Sequence, residues 1–387
     1  MNYRVNPKNN DKLSILGFGC MRFPKDEKEA EKQIINAIEK GVNYFDTAYI
    51  YPNSEAILGR VLAKGYRHRV KIATKMPPYL IKKYEDFDKI FNVELKRLQT
   101  DHIDYYFIHM LTDINIWSRL VSIGILKWIE EKKEGGQIKN IGFSYHGGRD
   151  EFIKVVDAFD WEFCMIQYNF VDENNQAGKS GLQYASAKGL PVMVMEPLRG
   201  GKLVTNLPKE VYKVWEKAYV KRSPAEWAFR WIWNHPEVTV VLSGMNSQEM
   251  VEENIKVASE SEANSLTKDD LELFTKVRNI LSEKIKVPCT GCNYCMPCPM
   301  GVDIPTCFSC YNDREIEGKF SAIGKYIMQT SLKTKAHNAS LCSKCGKCEI
   351  HCPQKIAIRD ELAKVSKTME GFYYKPARFL IKRFMKL

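Results

Sequence analysis

Ten of the twelve cysteines in this 387-residue chain lie between Cys289 and Cys352, and only Cys20 and Cys164 precede them. The first run, CTGCNYCMPCP, spans Cys289–Pro299 and spaces four cysteines two residues apart. Zinc ribbons, redox dithiols and iron–sulfur sites all begin this way. The second run, CSKCGKCEIHCP over Cys342–Pro353, is C-x2-C-x2-C-x3-C-P in full. In that spacing three cysteines ligate one [4Fe–4S] cube and the fourth ligates another. Structural zinc takes four ligands, usually as two separated pairs, so two runs of four that each end in Cys-Pro fit iron–sulfur better. Crossed ligation assigns Cys289, Cys292, Cys295 and Cys352 to one cluster and Cys342, Cys345, Cys348 and Cys298 to the other. The first run has two residues, not three, before its last cysteine, but keeps the following Pro299.

A second set of side chains suits proton transfer to a carbonyl oxygen: Asp46, Tyr51, Lys75 and His109. A free phenol titrates near ~10, too high for easy exchange at neutrality. A neighbouring ammonium favours the phenolate, a carboxylate can hold that ammonium in place, and an imidazole can orient the carbonyl. Singly, each of these residues is more often a salt bridge or a satisfied core group. None is a source of hydride, so a nicotinamide or a flavin is required.

These residues must be brought together by the elements that carry them. Short apolar runs alternate with amphipathic stretches: 14–18, 43–46, KIAT, DYYFIH, IKNIGF, MIQYN, PVMVM and VTVVLSG read as strands. Helices are expected near 28–40, 54–63, 86–98, 118–134, 149–157, 179–188, 223–234 and 247–258. Eight strand–helix pairs in about 245 residues predict a (β/α)8 barrel. An open doubly wound sheet would need a glycine-rich phosphate loop after its first strand, and GFGCMR lacks that spacing. In a barrel, Asp46, Lys75 and His109 end three successive strands and Tyr51 lies just beyond the first of them, on the face where such folds do their chemistry.

The segments FDTAYIYPNSEAILG, IATK and DYYFIH resemble the catalytic segments of the aldo–keto reductases, over about residues 3–258. The resemblance implies that Asp46, Tyr51, Lys75 and His109 are the family's catalytic four, with Tyr51 as the acid in NAD(P)H-dependent reduction of a small carbonyl compound. It also implies that Ser144 and Gln167 hold the carboxamide and that Glu253 and Asn254 meet the adenine, with Leu198 and Gly244 in the remaining cofactor segments. The sequence departs from the family at Tyr145, Met195 and Glu196, where an asparagine, a stacking tyrosine and a serine are usual. Gly244 and Met250 stand where many members place 2′-phosphate-binding cations, so no strong preference for NADPH over NADH is implied.

The shift in cysteine content marks a boundary, giving a barrel over 1–283 and a small, mainly helical ferredoxin-like domain over 284–387. About 43 residues part the two cysteine runs, and helices are expected there. This half resembles the C-terminal domain of the iron–sulfur branch of the same family. Cys307 and Cys310 form a further C-x2-C pair, read as spare ligands, a dithiol or, on burial propensity, core residues. Ala377, Leu380, Ile381 and Phe384 against Arg378, Lys382, Arg383 and Lys386 predict an amphipathic basic tail helix, packed on the module or turned to an acidic partner or anionic lipid.

A length of 387 residues predicts about two domains, and the 44% hydrophobic content supplies a core. The net charge of +11 suits an anionic cofactor or acidic partner and does not argue for nucleic acid. MNYRVNPKNN has no apolar h-region and no apolar run is long enough for a membrane span, so a cytoplasmic protein with reduced or metal-bound thiols is expected. Three functions follow: a carbonyl reductase with regulatory or structural clusters, an enzyme that couples a two-electron substrate or flavin to the clusters and an external ferredoxin, or a redox-sensing binding protein.

Overall fold

The described residues contain the strands β1 (Tyr3–Val5), β2 (Lys12–Ser14), β3 (Leu16–Gly19), β4 (Tyr44–Asp46), β5 (Lys71–Met76), β6 (Ile103–Leu111), β7 (Ile138–Tyr145), β8 (Phe163–Gln167), β9 (Val192–Met195) and β10 (Val238–Ser243), with helices between successive strands from β3 onward. This computed structural model describes residues 1–331 and 336–384, without the side chains of 316, 317 and 380–384. Strands β3 to β10 close into an all-parallel barrel, β10 pairing with β3. The chain forms two compact units: 1–198 with 223–266, and 199–222 with 267–387.

The barrel interior is filled by Leu13, Tyr44, Tyr105, Phe107, Phe163, Met165, Met193 and Val240, so it is a packed core and not a pore. Phe107 and Phe163 meet edge to face at 4.6 Å, and Tyr105 meets Phe163 at 5.0 Å. Such large rings need small neighbours. A Cβ on Gly17 would come within 2.7 Å of Val240, and one on Gly142 within 2.4 Å of the Phe163 carbonyl. The outer helices bury one stripe each. In Glu27–Glu39 the stripe is Ala30, Ile34, Ala37 and Ile38, and the helix starts where Asp26 accepts the Lys28 N–H.

The structure departs from the sequence reading at two barrel elements. The run read as one strand over 14–18 is split: β2 pairs antiparallel with β1 as a hairpin, and β3 alone enters the barrel. Leu13 from that hairpin packs into the barrel core, and Tyr105 Oη donates to Asp11 at 2.8 Å. The helix expected over 118–134 is two, Ile114–Ile123 and Ile125–Glu134, divided at Gly124 with φ 107°. That conformation favours glycine and ends the first helix.

The second unit is helical. Its helices are Lys209–Trp215, Lys268–Lys284, Ile304–Glu317, Lys319–Thr330, Lys347–Ile350, Ile358–Met369 and Tyr374–Phe384. Lys209–Trp215 and Lys268–Lys284, grouped with the barrel on sequence, belong to this unit; Trp215 packs edge to face on Phe274 at 5.0 Å. Val302, Phe308, Ile323, Tyr326, Leu362 and Val365 form its core. Tyr326 Oη donates to Glu370 at 2.5 Å and accepts from the Ala339 N–H at 2.8 Å, tying the approach to the second cysteine run to the last helices. Asn312 does the same for the first run, with Oδ1 accepting from Lys286 and Val287 N–H at 3.0 and 2.9 Å. The tail helix is present. Of the residues that define its amphipathic faces, the side chains of Leu380, Ile381, Lys382, Arg383 and Phe384, and all of Lys386, lie outside the described set. Among the described residues no helix is long and apolar enough to cross a membrane.

Candidate active site and cluster-binding loops

Parallel register lines up the strand ends: Gly19 lies opposite Asp46, Asp46 opposite Ala73, and Lys75 opposite Phe107. Asp46 Oδ2 accepts from Lys75 Nζ at 2.5 Å, and Nζ also donates to the Thr47 carbonyl at 2.6 Å. Both residues are buried, at 4% and 1% exposure. Lys75 Nζ lies 5.1 Å from the centroid of the Tyr51 ring. The His109 ring stands edge-on to Tyr51 with centroids 6.0 Å apart. The structure therefore gathers Asp46, Tyr51, Lys75 and His109 in one place.

Two devices set these groups. Strands β6 and β7 slip register between Ile108 and Leu111, and Met110 takes φ 56° with its N–H donating to Ser144 Oγ at 2.8 Å. A bulge of this kind re-aims the neighbouring side chain, here His109. The turn bearing Tyr51 is braced by Arg97, which donates to the Tyr49 carbonyl at 3.0 Å and to Glu55 at 3.1 Å.

Burial governs the charges. It pushes His109 well below the ordinary imidazole range, and the charges of Lys75 and His146 add to that, so the ring is neutral. Burial raises the Asp46 carboxyl while Lys75 opposes the rise. Cys20 ends up beside Asp46, fully buried, its thiol pushed well up by burial first and Asp46 second, which makes it a poor nucleophile.

The residues assigned to a cofactor are dispersed along β7 to β10. Ser144 spends its oxygen on Met110, as above. Gln167 donates to Asp172 at 2.8 Å, while its buried carbonyl oxygen has no hydrogen-bond partner. Asn254 donates to Ser243 Oγ at 3.0 Å, and Glu253 accepts from Ser223 at 2.6 Å. Gly244 is exposed just past β10, and Leu198 is half-buried past β9. Sequence reasoning passed over His146. It is buried one residue beyond β7, its Nδ1 lies 3.3 Å from Gln176 Oε1, and burial lowers it to about 4. The strand-end rule that selects His109 would have selected it too.

In the second unit the two cysteine runs share one backbone pattern. Gly291 and Asn293 have φ 70° and 68°, and Lys344 and Gly346 have 59° and 77°, flanking Cys292 and Cys345 respectively. Left-handed residues turn successive N–H groups inward, a concavity suited to anionic clusters. The Lys344 N–H donates to Cys342 Sγ at 3.4 Å. One pocket is lined by Cys289, Cys292, Cys295 and Cys352, with Ile304, Phe308, Ile356 and Ile358 among its walls. Burial raises the Cys295 thiol, and Cys289, Cys292 and Cys352 add to the rise. Cys348 is pushed up to about 11, by burial first and then by Glu349, Cys342 and Cys298. Cys289, Cys292, Cys295 and Cys352 thus line one pocket, and Cys348 has Cys342 and Cys298 as neighbours. Among the described residues no three His, Cys, Asp or Glu side chains close on a point where a single metal ion could sit. A cube binds its cysteines at four separate irons and so spreads them wider than one zinc does. Cys307 and Cys310 are core residues of the helix Ile304–Glu317.

Residues 15–279 match the aldo/keto reductase family, and residues 288–357 match a 4Fe-4S dicluster domain. The chain is 28% identical to L-galactose dehydrogenase of Arabidopsis thaliana over 300 residues, covering 70% of this chain and 91% of that one. It is 26% identical to a probable aldo-keto reductase of Glycine max, covering 63% and 80%. Its fold superposes on an aldo-keto reductase from Bacillus halodurans with a TM-score of 0.61 and 26% identity, over 72% of this chain and 96% of that one. An aldo/keto reductase from Klebsiella pneumoniae in complex with NADP and acetate has the same fold at 20% identity, with a TM-score of 0.59 over 72% of this chain and 96% of its own. The chain belongs to the aldo/keto reductase family. It is an oxidoreductase that joins a (β/α)8 barrel to an iron–sulfur domain.

Proposed function

We propose that this protein reduces a small carbonyl compound with a nicotinamide dinucleotide, with Tyr51 as general acid, and that its second unit carries two [4Fe–4S] clusters with crossed ligation. One observation carries the reading: a buried Lys75, clamped to Asp46 at 2.5 Å, stands 5.1 Å from the Tyr51 ring centroid, with neutral His109 edge-on to the same ring at 6.0 Å. When bound, the nicotinamide supplies hydride to the carbonyl carbon. Tyr51 gives its phenolic proton to the carbonyl oxygen, and the Lys75 cation eases the departure of that proton. Asp46 fixes the ammonium, and a neutral imidazole N–H orients the oxygen. The unpartnered Gln167 Oε1 suits the amide N–H of a carboxamide, with Ser144 beside it. Leu198, Gly244, Glu253 and Asn254 are assigned to the rest of the dinucleotide.

The test is Tyr51→Phe, which keeps the ring and removes the acid. Aldehyde-dependent oxidation of NADH or NADPH should fall by about 10²–10⁴-fold, the usual worth of a general acid. Wild-type turnover in that variant would sink the mechanism.

One feature favours a second reading. Glu196 stands immediately beyond β9 with φ 54°, and its carboxylate disfavours a pyrophosphate there by like charge. On this reading the barrel mouth holds a flavin or a two-electron substrate and exchanges electrons through the clusters with an external ferredoxin. Extraction of flavin from anaerobically purified protein would select it.

A further inference from the structure

The two cysteine runs share a backbone pattern but differ at the residue that follows their first cysteine. In the second run that residue is Ser343, which is exposed. In the first it is Thr290, only 3% exposed, and its hydroxyl oxygen is buried without a hydrogen-bond partner. Thr290 lines the same pocket as Cys289, Cys292, Cys295 and Cys352. Ile304, Phe308, Ile356 and Ile358 supply apolar walls to this pocket, and although the amides of Asn293 and Gln354 also line it, neither hydrogen-bonds to the Thr290 hydroxyl. A hydroxyl buried without a partner is costly, and a valine would match its branched shape without that cost. Its natural acceptors in such a pocket are sulfurs, the inorganic sulfides of a cube or the thiolates that hold it.

We infer that Thr290 donates a hydrogen bond to the cluster held by Cys289, Cys292, Cys295 and Cys352 and raises that cluster's reduction potential relative to its neighbour. Reduction adds one electron and hence one negative charge to the cube. A hydrogen bond to sulfur strengthens as the acceptor gains charge, so it favours the reduced form. Ser343, being exposed, hydrogen-bonds to water and gives the second cluster no comparable buried donor. The module would then contain two cubes whose potentials are separated by one side chain.

The inference rests on the two-cluster assignment. Iron and sulfide are therefore counted first, on the anaerobic holoprotein that is then titrated with dithionite and mediators under EPR. Counts near four would defeat the assignment itself; counts near eight leave the assignment standing and put Thr290 alone to the test. In Thr290→Val one of the two reduction steps should move to lower potential by threefold to tenfold in its equilibrium constant, tenfold being about 59 mV for one electron. The other step should not move. If valine prevents cluster loading, Thr290→Ser and Thr290→Ala give the same contrast: serine keeps the parental potential and alanine lowers it. Unchanged potentials with both clusters in place, equal shifts of both steps, or equal potentials for serine and alanine would overturn the inference.

Discussion

The barrel mouth and the cysteine loops hold their chemistry by opposite means. At the mouth the reactive groups come from strand ends fixed by a continuous parallel ladder, and their partners are protein groups: Lys75 already has Asp46 and the Thr47 carbonyl. The cysteine loops have little regular structure. Residues 285–303 contain no helix or strand, and six of the eight candidate ligands are half-buried, with Cys345 exposed and Cys352 buried. Asn312 and Tyr326 pin the approaches to the loops, and under the proposed ligation a cluster would crosslink the loops themselves. One site is prepared by the fold, and on the proposed ligation the other would be completed by its inorganic group.

The largest test of this contrast is removal of iron. Chelation should expose 285–303 and 336–357 to complete cleavage in limited proteolysis, while fragments of the barrel stay intact; equal protection of both regions would erase the contrast. Cys298→Ala and Cys348→Ala should cost the same cluster by EPR, and loss of different clusters would refute crossed ligation. Next in size, Lys75→Met should lower carbonyl turnover by about 10²-fold or more, because Tyr51 loses its cation. It should also cost about 3–5 kcal/mol of barrel stability, since Asp46 is left buried without its counter-ion. A variant with normal stability would show the pair to be less coupled than its 2.5 Å contact indicates.

A smaller effect follows from His146, which burial holds near 4. An unfolded histidine titrates near ~6.5, so below that pH the unfolded chain binds a proton that the folded chain refuses, and stability falls as pH falls. Between pH 7.5 and 5.5 this amounts to about 1.4 kcal/mol. Urea unfolding of His146→Gln should gain that much on the parent over the same interval, and parallel pH profiles would show that His146 takes up a proton within the fold. The smallest expected effect is cofactor choice. Met250 is 45% exposed and Gly244 has no side chain, so neither offers a cation for a 2′-phosphate. Calorimetry should find NADH and NADPH within about tenfold of each other, or ~1.4 kcal/mol; a wider gap in favour of NADPH would point to a cation from elsewhere in the fold.

Much of this was legible in the residues because the signals are local. Each barrel strand is a short apolar run and each outer helix carries a 3.6-residue stripe, so Asp46, Lys75 and His109 could be placed at strand ends without knowing the barrel's closure. The cysteine runs are legible for the same reason, since ligand spacing within a loop is written in consecutive residues. Tertiary structure decided what depends on distant partners. Ser14 and Leu16 fall in different sheets because Lys12–Ser14 finds Tyr3–Val5 and Leu16–Gly19 finds Val238–Ser243. Lys268–Lys284 joins the second unit because Phe274 packs on Trp215, a pairing that no periodicity encodes. The neutral His109, the lowered His146 and the raised Asp46 come from burial, a property of the assembled fold and not of the residue type. The same holds for Thr290 and Ser343: their positions in the two runs correspond, and only the folded surroundings, Ile304, Phe308, Ile356 and Ile358 among them, make one of them a buried hydroxyl without a protein partner.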